Sequence, residues 1–481
     1  MSRREEFLDT AKKYISGPRA DAYGSPQDNF GVTAEMWSAY KGIPFSATDV
    51  ALMMILLKAA RLGHNADSFD SWTDIAGYAA LGARSVSESK KKETLAARKA
   101  RLSKKYNTSI GSLSEVAKEV NCIPTGNIAI DHILGGGFPR GRLIELYGPP
   151  SSGKSTIALQ SAAEFQRRAK AGDPGYAGKA ILYLDHENAM DPAYAKALGL
   201  DIDDELFLFA QPDSLEDSAN ISRDLVSSGE VGLAIYDSVA AMIPQAALEA
   251  ETGKNSVALQ ARGMAEFLKA YVRELYSTDT TAIFLNHLAE VIDMGGGGKP
   301  GMKRYTTPGG RALKFFASVR VEFRQIKNIT EEVYNDLTND TTKQVMATDV
   351  KVKVVKNKVA PPFKQAEVRV RYGKGFDQAY SAFDILVRYK KVVAAGGGWF
   401  YFERVPTLAD GMPLSGPEGK QRPALRGVSA VLRYAAENPI WGQELVRLAV
   451  ECLATSPDDE QFAATPVLEE SEDDESLEQE G

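Results

Sequence analysis

The sequence predicts an α/β protein whose core is a mainly parallel, buried sheet, with a helical domain before it and a small α+β domain after it. Short apolar strands alternate with helix-like stretches between about residues 121 and 377, a pattern typical of a parallel sheet covered by helices. A glycine-rich turn joins one of these strands to a helix. The charge composition changes near residues 88 and 457, which indicates segment boundaries.

Five segments follow one another along the chain. Residues 1–86 form the helical domain, and residues 87–120 contain a basic helix and then a short strand. Residues 121–380 form the α/β core, residues 381–456 the α+β domain, and residues 457–481 an acidic tail.

The individual elements follow from hydrophobic pattern and turn signals. The predicted helices include Ala47 to Leu62, Ser71 to Leu81, and Glu88 to Tyr106, which carries eight basic and two acidic side chains. The predicted core strands are Leu143 to Tyr147, Ala180 to Asp185, Gly232 to Asp237, Thr281 to Asn286 and Val350 to Val355.

Length and composition limit the class of protein. The 481 residues are 44% hydrophobic, enough for two or three domains with a large core. The two cysteines, Cys122 and Cys452, offer neither a metal pair nor a disulfide framework, which favours a reducing compartment. The start of the chain has no apolar signal region, and Val50 to Leu57 is shorter than the roughly 20 residues of a membrane span. We therefore expect a cytoplasmic protein without membrane contact.

The net charge of −7 is concentrated at the C-terminal end. Residues 457–481 contain eleven acidic side chains and no basic one, so the remaining residues carry 57 basic and 53 acidic side chains, a net charge of +4. Such a run is typical of a disordered tail. It could serve solubility alone, or it could compete with nucleic acid for a basic surface of the same protein.

Residues 148–155 read Gly-Pro-Pro-Ser-Ser-Gly-Lys-Ser between a predicted strand and a predicted helix, which fits the phosphate-loop pattern G-x-x-x-x-G-K-[ST] in its required context. The glycines let backbone N–H groups converge on phosphate oxygens, Lys154 bridges the terminal phosphates, and Ser155 supplies a magnesium ligand. The nucleotide-binding candidates of this loop are Gly148, Pro149, Pro150, Ser151, Ser152, Gly153, Lys154, Ser155 and Thr156.

Two carboxylates follow neighbouring apolar strands. Asp237 ends the strand Leu233 to Tyr236, and Glu187 comes two residues after the strand that ends at Asp185. Ligands of open α/β sheets bind at the carboxyl ends of strands, so Asp237 is the candidate metal-orienting carboxylate and Glu187 the candidate base that orients water. Either residue taken alone could be an ordinary strand-end cap.

The motifs closely resemble those of the RecA recombinases. The similar stretches run in family order over about residues 107 to 456. The run VKNKVAPPFKQAEVRVRYGKGF from Val355 is the most specific, since other phosphate-loop ATPases lack it. The other similar stretches are Ile123 to Gly126, Gly141 to Glu145, Asp185 to Pro192, Tyr236 to Ala241 and Gly309 to Phe315.

This resemblance implies ATP- and Mg²⁺-dependent assembly of a helical homo-oligomeric filament on single-stranded DNA, followed by pairing and strand exchange with duplex DNA. Single-strand-binding protein or loading factors are implied as further partners. By position, Asp191 and Tyr194 hold the adenine, while Lys356 and Lys358 reach the terminal phosphates held by a neighbouring subunit. The basic helix and following strand match the polymerisation segment, in which a strand joins a neighbour's sheet.

Two stretches resemble the DNA loops of the family, at about residues 249–262 and 288–308. The second is glycine-rich and cationic, and we expect it to become ordered on DNA. Each basic residue taken singly could equally be an ordinary surface charge. The DNA-binding candidates are Arg262, Lys269, Arg311, Gly309 and Gly310 at phosphates, Val257 and Ile292 as apolar wedges, and Lys299, Lys303 and Arg304 as loop cations.

The chain departs from the family pattern at three positions. His287 stands where the family usually has a glutamine that senses the terminal phosphate, and we include it among the catalytic candidates. An imidazole can still donate a hydrogen bond, but its charge can change near neutral pH. Ala289 and Val291 are apolar where relatives often have basic residues, so DNA contacts could shift to the loop cations.

Residues 1–86 resemble a small helical domain of unknown function found in bacteriophage proteins, which suggests a phage-encoded recombinase. Asp67, Asp70 and Asp74 distantly resemble the acidic helices of MazG-type pyrophosphohydrolases, but the E-E-x-x-E metal motif is missing. Metal-dependent nucleotide hydrolysis is therefore the weaker alternative, and we favour a protein-interaction or filament-modulating module. For the whole chain the alternatives are a RecA-fold motor, such as a helicase or branch-migration factor, and a non-catalytic DNA-coating protein switched by ATP.

Overall fold

The structure, a computed structural model, describes residues 3–16, 26–89, 94–116, 120–249, 256–291, 304–335, 340–402, 411–415 and 422–455. The chain divides into two compact units, Met1–Lys118 and Glu119–Gly481. Each unit is described by itself. The acidic tail lies outside the described residues, so its predicted disorder stays a prediction.

The regular elements among the described residues of the first unit are all helices, and both helices predicted in its N-terminal part are confirmed. Ser46 begins the third helix with a capping box, because its hydroxyl accepts from the Asp49 amide while the Asp49 carboxylate accepts from the Ser46 amide. The helices are α1 Arg3–Ser16, α2 Pro26–Lys41, α3 Ala47–Leu62, α4 Phe69–Ser89, α5 Leu95–Tyr106 and α6 Leu113–Val116.

Helices α3 and α4 pack closely against each other. A side chain at Gly82 would lie only 3.2 Å from the Ala51 Cβ, so the two backbones approach where both residues are small. Lys58 of α3 is 9% exposed, and its ammonium forms an ion pair with Asp74 of α4. The unit therefore contains a charged pair at the position where a helical pair usually has apolar contacts.

A basic helix is confirmed as α5, but it begins at Leu95, where Thr94 caps it, and not at the predicted Glu88, which belongs to α4. Residues 108–112 form no strand within the single chain. The amides of Thr108 and Ile110 instead donate to the main-chain oxygen and hydroxyl of Ser103. A lone extended segment needs a second strand for its main-chain hydrogen bonds. Addition of this segment to a neighbouring subunit therefore stays a prediction.

A nine-stranded sheet forms the centre of the second unit, in the order β13-β12-β11-β10-β3-β7-β6-β4-β5. The six strands from β10 to β5 are parallel, and β11, β12 and β13 extend the sheet in antiparallel pairing. The strands are β3 Leu143–Gly148, β4 Ala180–Asp185, β5 Phe207–Ala210, β6 Val231–Asp237, β7 Thr281–His287, β10 Val319–Asn335, β11 Asp340–Asn357, β12 Gln365–Arg371 and β13 Gly375–Phe376.

The mainly parallel α/β architecture is thus confirmed. Alternate residues of the strands belong to two separate apolar clusters, as expected of a sheet covered on both faces. The helices are α7 Ile128–Leu134, α8 Lys154–Lys170, α9 Pro192–Ala197, α10 Leu215–Ser227, α11 Gln245–Leu248, α12 Ser256–Thr278, α13 Gly310–Phe316, α14 Gln378–Arg388, α15 Val428–Glu437 and α16 Pro439–Thr455.

The C-terminal part adds a four-stranded antiparallel sheet in the order β14-β15-β17-β16. In this part of the chain, Phe400 and Phe402 pack against Phe383 of α14, and Phe402 also contacts Trp441 of α16.

No helix in the described part of the chain is long and apolar enough to cross a membrane. The remaining strands are β1 Cys122–Ile123, β2 Phe138–Pro139, β8 Ala289–Val291, β9 Arg304–Thr306, β14 Val393–Ala395, β15 Trp399–Tyr401, β16 Leu414–Ser415 and β17 Arg422–Arg426.

The ion pair of the helical unit leads to a stability prediction. Asp74→Ala leaves the Lys58 ammonium buried without its main partner, since Asp70 lies 3.9 Å away. We expect the free energy of unfolding to fall by about 1–2 kcal/mol, less than for a fully buried pair because the Asp74 side chain is one quarter exposed. Lys58→Met removes the buried charge itself and should cost almost nothing. Urea unfolding followed by circular dichroism compares the two, with Asp67→Ala as a surface control. Equal losses in both variants would contradict this account of the pair.

Candidate functional site

The phosphate loop connects β3 to α8 at the carboxyl edge of the sheet. Its first residue must be glycine, because a Cβ at Gly148 would lie 2.2 Å from the main-chain oxygen of Phe323. Gly153 has φ 88° at the N-cap of the 17-residue helix α8, a conformation that favours glycine. The loop therefore leads into a long helix whose N-terminal N–H groups favour an anion.

Lys154 is buried inside this loop. Its ammonium donates to the main-chain oxygens of Pro149 at 2.7 Å and Gly148 at 3.2 Å. Burial lowers the pKa of Lys154 to about 8, although the nearby Asp237 and Glu187 carboxylates act to raise it. A phosphate next to this amine would favour its charged form, so the loop is electrostatically suited to an anionic ligand.

Asp237 ends β6 next to the loop. The Tyr183 hydroxyl of β4 donates to Asp237 Oδ2 at 2.8 Å, and Ser155 also hydrogen-bonds to this carboxylate. Burial raises the pKa of Asp237, while the hydrogen bonds with Tyr183 and Ser155 act to lower it. The contact of Ser155 with Asp237 brings together two hard oxygen donors, which suit Mg²⁺.

The described residues contain no group of three or more His, Cys, Asp or Glu side chains that could hold a metal ion. Mg²⁺ at nucleotide sites is usually held by one or two protein ligands together with phosphate oxygens, and Ser155 and Asp237 offer two such oxygen donors. The two residues therefore fit a magnesium ion that arrives with a nucleotide.

Glu187 lies where three strands converge. Its Oε1 accepts a hydrogen bond from the Ser238 hydroxyl, which follows β6, and lies 2.9 Å from His287 Nε2 at the end of β7. Burial acts to raise the pKa of Glu187, but the hydrogen bonds of Ser238 and His287 outweigh it and the pKa lies below its ordinary value. Glu187 is therefore a carboxylate near neutral pH.

The loop that carries Glu187 is organised by Asp185. The Asp185 carboxylate accepts from the amides of Glu187 and Met190, each at 3.1 Å. Asp185 and Asp237 are direct partners in the register of β4 and β6. The same register that builds the buried sheet thus brings the two candidate carboxylates to one edge.

The candidate adenine residues lie on the first turn of α9. The Asp191 carboxylate caps this helix by accepting from the Ala193 amide at 2.8 Å. The Tyr194 hydroxyl forms a 2.9 Å hydrogen bond with Thr156 of α8. Tyr194 is therefore anchored to the helix that follows the phosphate loop, close to the nucleotide-binding residues.

Lys356 and Lys358 lie at the end of β11 and just after it. The Lys356 ammonium donates to the main-chain oxygens of Lys314 and Phe315, at 2.8 and 3.0 Å. Burial lowers the pKa of Lys356, and Lys358 lowers it further. Within one chain Lys356 thus contacts the C-terminal end of α13, and its role towards a neighbouring subunit stays a prediction.

Several DNA candidates can be located. Arg262 and Lys269 are exposed on α12, where Arg262 pairs with Glu266 at 3.2 Å. Gly309 and Gly310 have positive φ, and a Cβ at Gly310 would lie 2.7 Å from the Ala261 Cβ. These glycines begin α13, which carries the exposed Arg311. The backbones of Val257 and Arg304 are described but their side chains are not, and three residues lie outside the described part: Ile292, Lys299 and Lys303.

A buried polar network connects the nucleotide edge to this glycine pair, and the sequence analysis missed it. Asn286 of β7 donates to Glu145 of β3 at 2.9 Å and to the main-chain oxygen of Pro308 at 3.1 Å. Glu145 is fully buried and also accepts from Arg320 of β10 at 2.5 Å. Strand β7 therefore carries His287 at the site and, one residue earlier, a direct contact to the segment before Gly309.

Comparison with known proteins agrees with this geometry. The RecA N-terminal domain family matches residues 93–377. The chain belongs to the RecA family. A domain of unknown function, DUF6378, matches residues 6–86, in agreement with the resemblance seen in the sequence, whereas a phage origin stays a prediction.

Individual RecA proteins are similar to this chain over a comparable length. Protein RecA of Lactobacillus acidophilus is 42% identical over 286 residues, which cover 59% of this chain and 71% of that protein. Protein RecA of Limosilactobacillus reuteri is 43% identical over 288 residues, with 59% and 71% covered. Protein RecA of Levilactobacillus brevis is 43% identical over 285 residues, with 59% and 68% covered.

Tyr183 gives a testable prediction about magnesium. Its hydroxyl is a hydrogen-bond donor to the candidate metal carboxylate, so Tyr183→Phe should raise the Mg²⁺ concentration needed for half-maximal ATP binding by about tenfold. Affinity at saturating Mg²⁺ should change little. Titration of a fluorescent ATP analogue with Mg²⁺ measures this, and Tyr176→Phe is the matched control because Tyr176 donates to Cys122 O elsewhere in the unit. The same Mg²⁺ dependence in both variants would refute a positioning role of Tyr183.

Proposed function

We propose that this RecA-family chain is a recombinase that assembles as a helical filament on single-stranded DNA and catalyses homologous pairing and strand exchange coupled to DNA-dependent ATP hydrolysis. The main support is the convergence of Ser238 and His287 on Glu187, next to Lys154 and Asp237. A site that only held a nucleotide would need the loop but not a positioned, ionised carboxylate.

The proposed chemistry assigns each side chain a role. Lys154 and the loop amides bind the phosphates, Tyr194 and Asp191 hold the adenine, and Glu187 orients a water molecule and accepts its proton. Ser155 and Asp237 would hold Mg²⁺, which stabilises the charge that develops on the phosphate oxygens when it is bound. Ser238 and His287 keep Glu187 ionised and fix its direction.

Coupling to DNA is proposed to run through β7. His287 contacts Glu187, and the adjacent Asn286 holds Pro308 ahead of the glycine pair that would approach the DNA backbone. A shift of this segment on DNA would move both residues, because they are neighbours on one strand. Phosphate contacts from Arg262, Lys269 and Arg311 would give binding that is independent of sequence and weakened by salt.

The assembly is proposed to be head to tail. Lys356 and Lys358 of one subunit would neutralise charge on the nucleotide bound by the next subunit. Hydrolysis would weaken the contact between the two subunits, because it changes the charge that these lysines neutralise. Such a contact need not close and can build a filament. Single-stranded and duplex DNA are the proposed partners, with single-strand-binding protein or loading factors as further ones, and we propose a cytoplasmic location.

Glu187→Gln tests the catalytic assignment. Removal of the base should lower ATP turnover on single-stranded DNA by at least about 100-fold, while DNA-bound assemblies with ATP persist because the phosphate loop is intact. ATP hydrolysis and electron microscopy of the same samples measure the two properties, and Glu437→Gln at an exposed helix end is the control. Wild-type assembly without any ATP turnover would favour the ATP-switched DNA-coating protein instead. Turnover without strand exchange would favour a RecA-fold motor.

His287→Ala and His287→Gln test the contact of His287 with Glu187. Because the pKa of Glu187 is lowered, this carboxylate is ionised near neutral pH and can accept a proton there. The hydrogen bond of His287 is one cause of the low pKa, so His287→Ala should raise the pKa of Glu187 and lower DNA-stimulated hydrolysis several-fold, with a larger loss near about pH 6 than near about pH 8.

His287→Gln should keep most of the activity of the unchanged chain over the same range, because the glutamine amide can donate a hydrogen bond to the same carboxylate. The Lys154 amine is common to all three proteins, so its low pKa does not contribute to the differences among their pH profiles. Equal pH profiles of His287→Ala and the unchanged chain would eliminate His287 as a contact that tunes Glu187.

A further inference from the structure

The outer face of α3 in the helical unit is apolar and exposed. Its large side chains there are Leu52, Met53, Leu56 and Leu57, which are 53%, 43%, 67% and 47% exposed. Ala59 and Ala60 continue the same stripe towards the end of the helix and are also exposed. The spacing places all six residues on one side of the helix. We call these six residues the α3 stripe.

The charged side chain in the middle of α3 lies on the buried side of the helix. Lys58 is the sole charged residue between Asp49 and Arg61, and it is buried against Asp74. A surface helix ordinarily buries its apolar residues and exposes its charges. Burying a charge is unfavourable unless it is paired, so the unit is arranged to keep charge off the α3 stripe. An exposed apolar stripe of this kind is typical of an interaction site.

The pattern along the stripe indicates what covers it. Large residues occupy its N-terminal half and two alanines its C-terminal half. If two copies of α3 pack antiparallel about a two-fold axis near Leu56, Leu52 of one copy faces Ala60 of the other, and Met53 faces Ala59. A two-fold interface requires such self-complementarity, because each contact occurs twice. Large residues opposite small ones let two helices pack closely.

Charge at the ends of the stripe suits the same arrangement. Asp49 lies at the beginning of α3 and Arg61 at its end, so antiparallel pairing brings opposite charges from the two copies to the same rim. A parallel pairing would instead place like charges together and set Leu52 against Leu52. The antiparallel arrangement is therefore favoured by both size and charge.

A membrane surface fits the α3 stripe less well than a second copy of the chain does. Helices that lie on membranes carry basic residues along their polar face, whereas the basic residue in the middle of α3 is buried in an ion pair. Residues 1–86 contain nine basic and ten acidic side chains, so this part of the unit, which lies before the basic helix α5, has no net attraction to anionic lipids.

We propose that the helical unit is a homodimerisation module, in which α3 packs antiparallel against α3 of a second copy of this chain around Leu56. This contact is separate from the head-to-tail joint of the proposed filament and needs neither ATP nor DNA. In an assembly it would connect subunits or whole filaments through their N-terminal units. It would also explain why the α3 stripe is left apolar.

Cysteine cross-linking in the full-length chain tests the register. The background carries Cys122→Ser and Cys452→Ala, so that each introduced cysteine is the sole one. Leu56→Cys, near the axis, should cross-link to itself with a short bismaleimide in the absence of nucleotide and DNA. A mixture of Leu52→Cys and Ala60→Cys chains should form dimers at least about tenfold faster than either variant alone.

Ala79→Cys, exposed on α4, is the matched control and should react as slowly as the separate Leu52 and Ala60 variants. Leu56→Glu should abolish dimerisation in sedimentation experiments without nucleotide, since two like charges would meet at the axis. Its ATP hydrolysis reports on the fold of the second unit and should be unchanged.

Self-cross-linking at positions 52 and 60 would overturn the antiparallel pairing. Equal rates at positions 56 and 79, or sedimentation of the wild-type chain as a monomer, would overturn the module itself. The cross-linking and sedimentation readouts are taken without ATP turnover or strand exchange. Failure of the proposed recombinase activity would therefore leave them unchanged, and failure of dimerisation would leave the ATPase proposal standing.

Discussion

The register of the parallel strands is the constraint on which the rest of the site depends. Gly148 pairs with His287 across β3 and β7, and Asp185 pairs with Asp237 across β4 and β6. Parallel strands have all their carboxyl ends at one edge, so the phosphate loop, the candidate metal carboxylate, Glu187 and His287 meet there. A shift of one residue in any of these strands would turn its buried side chains to the opposite face.

Burial shifts the pKa values of two charged side chains at this edge of the sheet. It lowers the pKa of the Lys154 amine and raises that of the Asp237 carboxyl, so both groups gain from a charged ligand of opposite sign. Glu187 is different, because the hydrogen bonds from Ser238 and His287 outweigh its burial and keep it ionised. Asp237 and Glu187 both carry a carboxyl group, but they suit different roles because their surroundings shift their pKa values in opposite directions.

The helical unit distributes its charged and apolar side chains differently from the sheet. Its Lys58 is inside and its leucines are outside on α3, whereas the sheet buries apolar residues on both faces. A parallel sheet closes its core within one chain because helices cover it on both sides. A small helical unit has less surface to bury, and its remaining apolar stripe is available to a second copy.

Local pattern was enough to predict much of this protein. The phosphate loop, five core strands, three of the helices of the first unit and the RecA resemblance are all properties of short stretches of sequence, where spacing and turn chemistry suffice. Tertiary structure decided the contacts between distant residues. The hydroxyl of Tyr183 on Asp237, the meeting of His287 with Glu187 and the network of Asn286, Glu145 and Arg320 join residues far apart in sequence.

The sequence by itself determined which residue types occupy the strand ends, because hydrophobic period and motif spacing are local. Only the folded sheet decided which of those side chains touch, since that depends on strand order, and β3 has β7 and β10 as neighbours although neither adjoins it in the chain. For the same reason, whether Lys58 points inward was not predictable from the composition of α3. The direction of a helical side chain depends on the partner helix against which it packs.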